Sequence, residues 1–102
     1  MSVAVAKEEP RMIEVVDNSI VERALDELHL LLGDTEAYQR ARHLVLSGLP
    51  LYWAKRWCKG LIDKLFGRAT AEEFRNCVKN GIVYYTYGVV TGTMREAEEL
   101  RI

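Results

Sequence analysis

The sequence predicts an α+β fold dominated by helix, built as two tandem helical hairpins with short strands between them. Three observations predict it. Capping boxes open apolar stripes at helical spacing, as at Ser19-x-x-Glu22 and Thr70-x-x-Glu73. Glycine stops follow in a repeated order, Gly33 then Gly48, and Gly67 then Gly81. Each hairpin is followed by an extended-looking apolar run, residues 49–53 and then residues 82–90.

The elements follow in chain order. Residues 3–5 and 12–16 read as short strands, separated by the breaker Lys7-Glu8-Glu9-Pro10. A first helix runs from the Ser19 box to Leu32, with Val21, Ala24, Leu25, Leu28, Leu31 and Leu32 inward and Leu30 outward. A second starts at Asp34 or Thr35 and ends before Gly48, with Ala37, Tyr38, Ala41, Leu44 and Val45 inward. Residues 49–53 are read as extended, because Pro50 disfavours helix. A third helix then runs to about Phe66, with Trp57, Cys58, Leu61 and Leu65 inward and Lys55, Arg56 and Lys59 outward. A fourth runs from the Thr70 box to about Lys79 and stops at Asn80-Gly81. Residues 82–90 read as the strongest strand, apolar or aromatic on both faces and therefore central. Thr93-x-x-Glu96 opens a short C-terminal helix over residues 93–101.

At 102 residues this is a single domain. Repeat 1 covers about residues 19–53 and repeat 2 about residues 54–90. At an offset of 34, Leu31 and Gly33 meet Leu65 and Gly67; at 33, Val45 and Gly48 meet Val78 and Gly81. The unit matches no common solenoid repeat, so the two copies are expected to pack as a pseudo-twofold pair with a groove between them.

A net charge of −1 selects neither nucleic acid nor membrane. The distribution is uneven. Residues 1–36 carry nine acidic side chains against three basic ones, and residues 37–79 nine basic against three acidic. Either the halves neutralise each other across the fold, or the asymmetry marks an interaction surface or head-to-tail self-association. No apolar run approaches the length of a membrane span, and no signal peptide is evident, so the chain reads as intracellular.

Scarce amides (Asn18, Asn76, Asn80 and Gln39) and nine Arg against five Lys fit a thermophilic source. In length, low amide content and duplicated hairpin layout, the chain resembles the small orphan proteins of filamentous viruses of hyperthermophilic archaea. The resemblance implies an origin in a virus-infected archaeal cell, in the host cytoplasm. It implies no activity and assigns no functional residue.

Catalytic and cofactor signals are weak. His29, His43, Cys58 and Cys77 lack the close ligand pairs of a structural zinc site. The cysteines read as small core residues on facing helices, with a disulfide between them as the alternative. Ser2, Ser19 and Ser47 sit in an arm, a cap and a turn, and no glycine-rich phosphate loop or nucleophile elbow is present. The chain is therefore read as no enzyme and as needing no cofactor.

Two binding classes remain. A nucleic-acid binder would use the basic middle third from Arg40 to Lys79. A helix-turn-helix centred on Gly33 fails, because His29 falls where a small residue is needed and Gln39 where an apolar one is needed. Centred on Gly67, Asp63 and Glu73 fall in those places. The favoured reading is a non-catalytic protein- or peptide-binding module, with a homodimer as one form. Its candidate contacts are Tyr52, Trp53, Tyr84, Tyr85 and Tyr87, which would line a groove between the two repeats that holds an extended peptide, and the edge of residues 82–90 could take a strand from a partner or a second copy.

Overall fold

The computed structural model describes residues 18–65 and 70–94. Among these there are four α-helices: α1 (Asn18–Leu32), α2 (Glu36–Leu46), α3 (Leu49–Leu65) and α4 (Ala71–Thr91). No strand occurs among the described residues, so the predicted α+β class is corrected to an all-α one. The strands expected at 3–5 and 12–16 lie outside the described residues, as do Gly67 and most of the helix expected at 93–101.

Local chemistry sets most of the helix ends. Gly33, at φ 69°, stops α1, and its N–H reaches the His29 carbonyl at 2.8 Å. Two residues on, the Thr35 hydroxyl accepts from the Tyr38 N–H and donates to the Leu32 carbonyl, so one side chain caps α2 and closes α1. Gly48, at φ 88°, ends the α2 turn. Thr70 and Glu73 form the full capping box of α4.

Two corrections follow from proline and glycine placement. Residues 49–53, expected to be extended, are the first turns of α3, and the Tyr52 N–H already bonds the Gly48 carbonyl at 3.0 Å. Pro50 sits where helical amides have no intrahelical acceptor, so its missing N–H costs nothing and its fixed φ suits the helix. Asn80-Gly81 does not end α4, which runs on through residues 82–90 to Gly92 at φ 83°. There the Thr93 N–H returns to the Gly88 carbonyl at 2.8 Å, a Schellman-type closure.

Gly81 is needed for packing instead. A Cβ built on it would lie 2.9 Å from the Ala54 Cβ, so α3 and α4 touch nearly backbone to backbone. The pair runs antiparallel: Cys58 is joined to Cys77, Ala54 faces Gly81, and Trp53 stacks on Tyr85. Of the two readings of the cysteines, the disulfide is therefore the one the structure shows, with a Cα–Cα separation of 5.9 Å.

α4 is the central element, packed on by the other three. Phe74, Val78, Ile82, Val83 and Tyr85 on α4 meet a core made by Ile20, Ala24 and Leu28 of α1, Ala41 and Val45 of α2, and Ala54, Cys58 and Ile62 of α3. Burial around so much of its circumference leaves α4 with no single apolar stripe. Residues 82–90 therefore imitate a strand buried on both faces, a pattern that periodicity alone cannot separate from a buried helix. Two polar links tie the bundle. Lys79 donates to Glu27 of α1 at 2.7 Å, and Arg40 of α2 donates to the Val90 carbonyl at 2.7 Å, at the negative end of the α4 dipole.

The two hairpins are unequal, with helices of 15 and 11 residues in the first and of 17 and 21 in the second. The expected repeat boundary between residues 53 and 54 falls inside α3. Gly48 is a turn whereas Gly81 is mid-helix, so that matched pair of glycines does different work.

Thr86 is fully buried on α4, and its hydroxyl has no hydrogen-bond partner among the described residues. An orphaned buried hydroxyl is destabilising. Thr86→Val keeps the branched shape and is expected to raise stability by about 1 kcal/mol. The readout is a higher urea midpoint at unchanged slope. An unchanged or lower midpoint would show that the hydroxyl is satisfied in solution.

Candidate interaction surface

The aromatic residues of α3 and α4 are arranged as a stack that emerges from the core. At its base lies Tyr85, 1% exposed. Trp53, half-buried, stacks on it with ring centroids 5.0 Å apart. Trp57, one turn further along α3, stacks on Trp53 at 5.7 Å with planes 7° apart. Trp57 also lies over Gly81, whose missing side chain leaves room for the indole; its Cε3 would sit 3.5 Å from an added Cβ. The outermost ring of this stack is 45% exposed.

Tyr84 and Tyr87, 66% and 40% exposed, extend the aromatic surface along α4. They are three residues apart and so neighbours on one side of the helix. Tyr84 follows Gly81 by the same interval, which sets it toward the α3 side. Tyr52, 53% exposed, stands on the outer face of α3 with Arg56 and Lys59. The Arg56 guanidinium lies 5.6 Å from the Tyr52 ring centroid and donates to its hydroxyl at 3.2 Å. The register that sets Ala54 against Gly81 brings the turn carrying Tyr52 level with the turn carrying Tyr84.

Of the five contact residues expected from sequence, Tyr52, Tyr84 and Tyr87 reach the surface and Trp53 does so in part. Tyr85 does not, and is corrected to a core residue. Its helical setting is the reason: Tyr84 and Tyr85 point about 100° apart, and only the second faces inward. Trp57, expected to be core, was the site residue missed. Its position beside Gly81 could have been found only by knowing that α3 and α4 touch there.

Several of the basic groups are already engaged within the fold. Arg40 is tied to the end of α4, Lys79 to Glu27, and Lys59 to Asp63 at 3.2 Å. Arg68 lies outside the described residues. Both cysteine sulfurs are bonded to each other, and His29 meets Asp34 and the ring of Tyr38. Leu30 and Leu31, at the end of α1, are 86% and 55% exposed beside a shallow groove that also involves Arg23, Asp26, Glu27 and Lys79. Leu31 was expected to point inward; it lies on the core side of α1, where no described residue covers it fully. No helix among the described residues is long and apolar enough to cross a membrane.

No protein-family model, curated protein or solved structure matches this chain.

Proposed function

We propose that the protein is a non-catalytic interaction module that binds a partner protein through the aromatic flank of α3 and α4. The observation that carries this is the exposure of Tyr52, Trp57, Tyr84 and Tyr87 on two helices locked together by a disulfide and a buried ring stack. Tyrosine and tryptophan are the preferred anchors of protein interfaces, and anchors already held in place lose little entropy on binding. Arg56 and Lys59 share the outer face of α3 with Tyr52, which suits a partner segment that is apolar with acidic neighbours. Strand addition to residues 82–90 is set aside, because those residues are helical. We read the compartment as the cytoplasm of a hyperthermophile, where intracellular disulfides such as Cys58–Cys77 are common.

Replacing Tyr84 and Tyr87 together with serine is expected to weaken partner capture from the native cells at least tenfold, about 1.4 kcal/mol. The melting temperature should stay nearly unchanged, since both side chains are exposed. Unchanged capture by the variant, or a captured species that is nucleic acid released by salt, would sink the proposal.

A further inference from the structure

Resting on the interaction reading above, we infer that the partner is a second copy of this chain, bound head to tail. The outer face of α1 in one copy meets the basic, aromatic face of α3 in the next.

The two faces are complementary in charge. From Asn18 to Glu36 the chain carries Glu22, Asp26, Glu27, Asp34 and Glu36 against Arg23 alone. α3 carries Lys55, Arg56, Lys59 and Lys64 against Asp63 alone. They are complementary in shape of pattern as well. Glu22, Asp26 and Leu30 recur at one helical turn on α1, and Tyr52, Arg56 and Lys59 do so on α3. Leu30 is the most exposed large apolar side chain described, and the exposed Tyr52 ring supplies an apolar surface for it. The Lys59–Asp63 contact is an exposed pair one turn apart on α3 and is readily exchanged for an intermolecular one.

The geometry sets the mode of assembly. α1 is tied to α4 at Lys79, and α3 is tied to α4 at Cys77 and Gly81. Lys79 is two residues from each, which is about 200° around a helix. The complementary faces therefore lie on opposite flanks of α4. A twofold pair that engages both faces at once is excluded, and repeated use of the contact builds a chain or a ring.

The test is sedimentation equilibrium of the full chain, wild type and two exposed-face variants. Asp26→Ser with Leu30→Ser removes the α1 face; Arg56→Glu with Lys59→Glu removes the α3 face. The wild-type mass is expected to rise with concentration at low salt and to fall toward the monomer as salt is added. Each variant alone should stay monomeric with an unchanged melting temperature. An equimolar mixture of the two retains one intact contact per pair and should yield a heterodimer and nothing larger. A wild type that stays monomeric to about 1 mM, a mixture that does not pair, or a variant that still self-associates would each overturn the inference. The underlying interaction reading fails separately: it falls if the Tyr84 and Tyr87 replacements leave protein capture unchanged or the captured species is nucleic acid released by salt, whereas the head-to-tail contact falls on the mass measurements.

Discussion

Replacing Gly81 with valine is expected to destabilise the fold by about 3 kcal/mol, the upper range for overpacking a tight core contact. The first added carbon would stand 2.9 Å from the Ala54 Cβ and 3.4 Å from its Cα, and neither atom is the end of a flexible side chain. The branched methyls would add to the collision, so α3 and α4 must separate. Trp57, whose ring lies 3.5 Å from the same point, would lose its seat. For a domain of this size the loss corresponds to a fall in melting temperature on the order of 15 °C. Gly60→Ala is the control. Gly60 is also helical, nothing lies within 4 Å of its added Cβ, and the change should raise stability by about 1 kcal/mol through helix propensity. Opposite signs at the two glycines would establish the close approach of α3 and α4. A Gly81→Val variant as stable as wild type would show that the helices do not meet there.

Breaking the Cys58–Cys77 bond is expected to cost about 3 kcal/mol, the value for a loop of this length. The bond joins α3 to α4 across a sequence separation of 19 residues. Reduction, or replacement of both cysteines with alanine, should lower the urea midpoint. It should also steepen the transition, because the unfolded chain becomes free to expose more surface. Equal midpoints with and without reductant would show that the bridge is not formed in solution. The consequence for the proposed surface is direct, because the disulfide holds together the two helices that carry Trp57 and Tyr84. Partner binding should weaken on reduction even where the chain remains folded.

Gly81 also shows how far the sequence could be read. Gly81 after Asn80 has the form of a helix stop, and the local sequence predicts one there. The feature that reverses this is Ala54, 27 positions earlier, whose small side chain makes the glycine a contact site. The strand expected over residues 82–90 fails for a related reason. Valine, isoleucine and tyrosine favour strands where a pleated surface awaits them. Here three helices surround the segment and reward burial on most of its sides, so it stays helical. Pro50 misled in the opposite direction. Proline breaks a helix interior, but at the first turn it is harmless, and the difference lies in where the helix begins.

The surface was legible in composition and less so in position. The concentration of tyrosine and tryptophan near residues 52–57 and 84–87 is plain in the chain, and three of the five selected side chains are exposed. Tyr85 and Trp57 exchange their expected roles, because exposure depends on which side of each helix meets its neighbour. Leu30 was marked as outward from helical periodicity alone, and it is 86% exposed.

The sequence by itself determined the features that close within a turn or two of backbone. These are the Thr70–Glu73 box, the start of α2 within a residue of Thr35, the stops at Gly33 and Gly48, and the buried stripe of Ala24 and Leu28. Each depends on dihedral preferences and hydrogen bonds between residues three to five positions apart, which neighbouring letters specify. Tertiary structure alone decided that α4 continues through Gly81, that Cys58 meets Cys77, and that Tyr85 is core while Trp57 looks outward. Those outcomes are set by which side of α3 packs on which side of α4, a contact between segments distant in the chain.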